Sequence, residues 1–180
     1  MHYSPVKNPY LPLRQVERQR SWSVNVWYGM IGNWIIGPYF INGTLNGQRY
    51  AAFLQNKLQF LFDEIPRIYR TQMWYQHDSC PAHYAMVARQ VLDRKFSGRW
   101  IGRGGVVNWP ARSPDLNPLD YFLWGTLKKK VYADAPTTLE DMRERIVKAC
   151  SAISVETIKN AKQSFIHCLS ECITARGDHF

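Results

Sequence analysis

Two aspartates define the chemistry that this sequence could support. Asp78 directly follows an aromatic run, TQMWYQH, and only Glu17, Asp63 and Glu64 precede it as acids. Asp120 stands forty-two positions later, in the first turn of a helix expected to start at Pro118 behind Asn117. Hard divalent cations such as Mg2+ take one or two protein carboxylates and complete their shell with phosphate and water. Phosphoryl transfer on two ions needs a bridging carboxylate and others flanking it, so this pair begins such a site and leaves it one ligand short. Local roles compete with that chemistry. Asp120 has the spacing of a weakened capping box with Asn117, and Asp78 can cap the turn through Ser79 to Pro81. Asp115, in SPDL, reads as a turn residue. The segment HDSCPAH sets His77, Cys80 and His83 at intervals of three, a zinc-like spacing. A strand-end His77 and a helix-start His83 need not face the same way, however, and no fourth ligand lies nearby.

The elements that must position these residues follow from periodicity. Alternation of Trp22, Val24 and Val26 with Ser23, Asn25 and Trp27 predicts a strand over 21–30, and a second strand runs from Trp34 to Ile41 behind a Gly32-Asn33 turn. Residues 47–62 have helical spacing through Tyr50, Phe53, Leu54, Leu58, Phe60 and Leu61, with Pro66 ending the helix. A short strand over 71–77 then leads into Asp78, and Pro81 opens a helix to about Phe96. Short extended pieces at Trp100-Ile101 and 106–109 lie in a stretch with four glycines. The helix from Pro118 ends near Tyr132, Thr137 or Thr138 caps the next, and a last helix covers 155–174. The order predicts a mixed α/β class with a helical C-terminal flank. Residues 1–20, with three prolines and Arg14, Arg18 and Arg20, read as an irregular basic arm, 21–153 as one domain, and 154–180 as a C-terminal helix and tail.

Composition narrows the functional classes. The 180 residues are 46% hydrophobic and 14% aromatic with 21% charged, which excludes wholesale disorder. No apolar run approaches the ~20 residues of a membrane span, so no membrane partner is expected. The N-terminus has no apolar core of signal-peptide length, which argues against export. Four cysteines are too sparse for a disulfide framework, and Cys168 and Cys172 beside His167 read as small buried side chains rather than ligands. The net charge is +9, and residues 1–120 carry fourteen basic against seven acidic groups. Such a field attracts polyanions and favours a nucleic-acid partner. Arg112, Lys128, Lys129 and Lys130 flank Asp120 and are candidate contacts to a nucleic-acid backbone, although the three lysines also suit a solvated helix end. Trp22, Trp27, Trp74 and Trp124 are expected to be core residues rather than base-stacking platforms.

The stretches WYQHDSCPAHYA and WPARSPDLNPLDYFLWGTLKKKVY resemble the catalytic domain of mariner-like DDE transposases, and the likeness extends from about Tyr3 to Ile153. In that family one acid ends a strand within a Q-x-D-x-x-P-x-H segment and another follows S-P-D-L-x-P-x-D/E on a helix, which match Asp78 and Asp120. The resemblance implies an RNase H-like mixed sheet and DNA strand cleavage and joining with Mg2+ or Mn2+ held by three carboxylates. It also implies DNA as partner, no small-molecule substrate, and a nuclear location, and a homodimer is compatible with it. The family's first acid lies on the opening strand of the sheet, upstream of the stretch that HYSPVKNP resembles, and its helix-turn-helix module lies upstream as well. The expectation is therefore a sheet incomplete at its first strand, weak metal binding, and a DNA-binding remnant with negligible strand cleavage. The alternatives are an active nuclease that completes its site with another chain, or a co-opted protein-interaction module.

Overall fold

The computed structural model describes residues 23–109, 116–134 and 137–175. Strands β1 (Asn25–Ile31) and β2 (Trp34–Ile41) form an antiparallel hairpin around Gly32, whose positive φ suits the turn. Helix α1 (Gly47–Asn56) follows, capped by the Asn46 side chain, which accepts from the Arg49 backbone N–H at 2.9 Å. Helix α2 (Arg67–Gln72), β3 (Tyr75–Gln76), α3 (Met86–Lys95) and β4 (Trp100–Ile101) come next, with β3 and β4 pairing in parallel. A π-helical stretch (Leu119–Trp124) runs directly into α4 (Gly125–Val131), and α5 (Leu139–Ser151) and α6 (Val155–Ala175) complete the order. Among the described residues the strands form two separate two-stranded ladders. The mixed α/β class and the helical C-terminal flank are those expected from the pattern.

Four local expectations are corrected. The helix expected over 47–62 stops at Asn56, because Lys57 leaves helical geometry and the N–H groups of Lys57 and Leu58 both return to the Phe53 carbonyl. A separate 3-10 turn at Phe60–Phe62 then lets Leu58 and Phe62 turn inward while Phe60 stays exposed. Pro66 opens α2 instead of merely ending α1, which shortens the strand expected over 71–77 to Tyr75–Gln76. The helix expected from Pro81 starts at Met86, since the chain first turns through a bond from His83 N–H to the Cys80 carbonyl. The helix expected at Pro118 begins with the wider π winding.

Two apolar clusters hold these elements together. One packs α1, α3, β3 and β4 around Tyr50, Leu54, Leu92 and Trp100, all but closed to solvent. The second packs Tyr28 of β1 with Leu123, Leu127, Val131, Met142 and Ile146 from the C-terminal helices. The two faces of the β1–β2 hairpin divide between them: Trp27 and Ile31 pack on the first, Val26 and Tyr28 on the second. The glycine-rich stretch is explained by Trp100 and His77. A β-carbon at Gly105 would lie 2.8 Å from the Trp100 ring, and one at Gly102 would collide with the His77 imidazole.

Leu54 is wholly buried, so Leu54→Ala is expected to lower stability by about 2–5 kcal/mol in urea unfolding. Ile173, 78% exposed on α6, is the control: Ile173→Ala should change stability by less than about 0.5 kcal/mol.

Candidate functional site

Asp78 is presented at the end of β3, where the parallel ladder with β4 closes through a bond from His77 N–H to the Ile101 carbonyl. Its side chain is held in one orientation. Oδ1 accepts from the Cys80 backbone N–H at 2.9 Å and lies 2.5 Å from His83 Nδ1. The turn ahead of α3 makes this possible by swinging His83 back over the strand end, where its ring lies 4.3 Å from that of Tyr50. The hydrogen bond with His83 is the main cause holding the Asp78 carboxyl below its usual range. Among the described residues no protein hydrogen bond occupies Oδ2.

Asp120 sits in the first turn of the π-helical stretch. Asn117 organises that turn: its Oδ1 accepts from the Leu119 backbone N–H at 3.2 Å and its Nδ2 donates to Asp120 Oδ2 at 2.8 Å. Partial burial pushes the Asp120 carboxyl up, the Asn117 bond opposes this, and the charge of Asp78 pushes it further up. Asp78 and Asp120 both line one cavity of about 560 Å3. Gln76 ties the two elements directly, donating from Nε2 to the Leu116 carbonyl at 3.2 Å.

The arrangement is two carboxylates on one cavity, each fixed through one oxygen by a neutral donor or an imidazole, with the other oxygen not hydrogen-bonded among the described residues. Such outer contacts orient carboxylates for a metal. An all-oxygen pair suits a hard cation, and Asp78 and Asp120 are the only acids lining the cavity among the described residues. When bound, such an ion supplies charge neutralisation at a phosphoryl group.

The other candidate residues fall in different places. Arg112 lies outside the described residues, as do Trp22 and the basic arm at 1–20. Lys128, Lys129 and Lys130 are exposed in the last turn of α4, and Lys128 is near enough to Asp120 to favour its charged form. Trp27 packs against Phe53 and Trp124 edge-on to Tyr28, as core residues do, whereas Trp74 is half exposed on the cavity wall. The zinc-like spacing of His77, Cys80 and His83 is not realised. His77 is buried between Tyr75 and Trp100 with neither ring nitrogen hydrogen-bonded, and Asp78 instead joins Cys80 and His83 in a group whose ligand atoms lie within 4.8 Å of one another. Sequence reasoning missed three contributors: Lys162 of α6, which lines the cavity, Asn117 as a partner of the carboxylate itself, and His83 as a partner of Asp78 rather than a ligand candidate.

No protein-family profile matches the chain. The Tc3 transposase of Caenorhabditis elegans is 28% identical over 159 residues, which is 87% of this chain and 45% of that protein. The Tcb1 transposase of Caenorhabditis briggsae is 23% identical over 177 residues, 96% of this chain and 60% of that protein. The chain thus spans about half the length of these relatives. Among solved structures, the Mos1 transposase catalytic domain with raltegravir and Mn superposes with a TM-score of 0.68 at 18% identity, covering 87% of this chain and 82% of that one. The chain is similar in sequence to these transposases and in fold to the Mos1 catalytic domain. Its fold is the RNase H-like fold of that catalytic domain. The Mos1 paired-end complex with Mn also matches, with a TM-score of 0.66 at 20% identity over 100% of this chain and 52% of that one.

Burial of His77 carries a pH signature. Desolvation lowers its pKa to about 4, so between about 6.5 and 4 the unfolded chain binds a proton that the folded chain refuses. Stability is therefore full above the unfolded value and falls with pH toward 4, by about 3 kcal/mol in all. Urea unfolding in EDTA at pH 7.5 and 4.5 should show His77→Phe losing less stability than wild type across that interval, by most of this amount. Equal losses in the two proteins would contradict the assignment.

Proposed function

We propose that this chain is a DNA-binding transposase catalytic segment in which Asp78 and Asp120 hold Mg2+ or Mn2+ for phosphoryl transfer on DNA. The observation that carries the reading is that these two aspartates line one cavity, each with an oxygen that no described residue hydrogen-bonds. The names of the relatives support it, since the matched proteins are transposases and solved Mos1 structures contain Mn or Mg. The basic surplus supports DNA as the partner. Lys128, Lys129 and Lys130, with Arg112, are the proposed contacts to phosphate, and Lys162 extends the positive charge to the cavity wall. A homodimer as the form that holds DNA ends is part of this reading, supported by Mos1 being seen in paired-end and strand-transfer complexes.

The chain's own residues have definable tasks. Asp78 and Asp120 bind the cation, His83 and Asn117 keep their carboxylates aimed, and the exposed lysines position the DNA backbone. Two carboxylates are fewer than a two-ion site requires, so the chain by itself binds the cation weakly and cleaves DNA negligibly. Any cleavage then depends on a further carboxylate supplied from outside the described residues.

Two measurements check this. Phosphate contacts release counterions, so log affinity for a DNA duplex should fall linearly with log salt, and replacing Lys128, Lys129 and Lys130 together by Ala should reduce the slope by about 2–3. A slope unchanged by the substitutions removes α4 from the interface. In plasmid nicking with Mg2+ or Mn2+, the 180-residue chain should match a buffer blank. Metal-dependent nicking that disappears in Asp78→Ala would show that the site is already complete.

A further inference from the structure

Two arginines away from the carboxylate cavity are held in place by neutral groups. After β4 the chain turns through residues 102–107, closed by bonds from Gly105 N–H to the Gly102 carbonyl at 3.0 Å and from Gly102 N–H to the Val107 carbonyl at 3.1 Å. Gly104 N–H is fixed by the Asn108 side chain, whose Oδ1 accepts from it at 3.2 Å. Arg103 leaves this loop exposed, and its guanidinium lies over the Tyr84 ring, 4.4 Å from the centroid. Arg89, at the end of the first turn of α3, reaches the same loop. A β-carbon at Gly104 would come 2.6 Å from Arg89 Nη1 and 3.1 Å from its Cδ, so only glycine, here at a φ of +79°, leaves room for that side chain. The packing buries Arg89 Nε, which has no hydrogen-bond partner among the described residues. The cavity lining includes His83 but neither Tyr84 nor either arginine.

We propose that Arg89 and Arg103 form a phosphodiester-binding site, a contact to the DNA backbone separate from the lysines of α4. The proposal rests on the reading of this chain as DNA-binding and adds a contact surface to it. Two positive charges are brought to neighbouring points of one loop, where they repel. Arg89 adds its charge to the positive end of α3, whose first turn contains no acid. An anion at the loop turns each of these repulsions into an attraction. The guanidinium fork matches two phosphate oxygens with paired N–H bonds, a geometry that an ammonium lacks. A cation resting on an aromatic face keeps its N–H edge for such a partner. Tyr84 and Gly104 position the two side chains before the ligand arrives, which reduces the entropy lost on binding. Arg103 and Gly104 are exposed, so the surface is open and suits a phosphate carried on a long strand rather than an enclosed small molecule. Tyr84 directly follows His83, the partner of Asp78, so the contact would hold DNA beside the turn that aims this carboxylate.

The test is fluorescence anisotropy of a labelled DNA duplex with the full chain, in EDTA, over a series of KCl concentrations. Arg103→Gln and Arg89→Gln should each lower affinity about tenfold and flatten the plot of log affinity against log salt by about 1. Arg103 is exposed, so its variant keeps the fold and carries the test even if Arg89→Gln lowers Tm. Arg103→Lys keeps the charge without the fork and should recover the slope while affinity stays several-fold down. Tyr84→Leu, which removes the ring under Arg103, should weaken binding about threefold. Arg94→Gln removes the same charge from an exposed site on α3 and should change affinity by less than about twofold. Wild-type affinity and slope in Arg103→Gln, or an equal loss in Arg94→Gln, would overturn the inference. So would inorganic phosphate displacing the duplex more than KCl of equal ionic strength does, because the site would then take a free anion. An altered slope in the triple-lysine variant of α4 beside an unaltered one in Arg103→Gln removes this site and leaves the proposed function standing. Failure of the wild type to bind duplex at low salt removes both.

Discussion

Two like charges facing one cavity are the constraint on which the arrangement of this protein turns. Burial pushes the Asp120 carboxyl up, and the like charge of Asp78 pushes it the same way. The fold counters this locally instead of separating the pair. Asp78 is given an imidazole and a backbone N–H, and Asp120 an amide and the field of Lys128. Each donor comes from a turn or a helix start beside the acid it serves. The irregular segments, the turn before α3 and the π winding before α4, are therefore the parts most closely fitted to the site.

The regular elements act as the frame for those turns. Trp100, wholly buried, gives its indole N–H to Asp93 of α3 at 2.9 Å and fixes β4 against that helix. β4 in turn fixes β3, and β3 ends in Asp78. On the other side Tyr121 donates to the Ala161 carbonyl at 2.7 Å, binding the π-helical stretch to α6. The Gln76 bond to Leu116 joins the two halves across the cavity. Substitutions in this frame would reach the aspartates through strand and helix position rather than through their charge.

Much of this was legible in the sequence where one strong local signal decided the structure. Strand β2 falls over the expected Trp34–Ile41, and α6 covers 155–175 against an expected 155–174. Thr138 caps α5 with its hydroxyl accepting from the Asp141 N–H, one of the two threonines expected to do so. The failures came where long-range packing outweighed spacing. His77 lies just past β3, edge-on to Trp100 and stacked on the His83 ring at 5.4 Å, but its ring makes no hydrogen bond among the described residues, so Asp78 rather than His77 is the group that bonds His83 and Cys80. Lys162 has no sequence relation to Asp120 and reaches the cavity only through the docking of α6. The turn-capping role weighed for Asp78 is present, whereas in place of the capping box weighed for Asp120 the Asn117 amide donates to the Asp120 carboxylate itself.

The central claim is that Asp78 and Asp120 form one cation site. The direct measurement is carbon-detected NMR of the protein with aspartate carboxyl carbons labelled, titrated with substoichiometric Mn2+, whose unpaired electrons broaden nearby resonances. The account predicts that the Asp78 and Asp120 signals broaden together and first, ahead of those of Asp63, Asp93, Asp134 and Asp141. Broadening of only one of the pair, or of scattered surface aspartates at the same Mn2+ concentration, would contradict it.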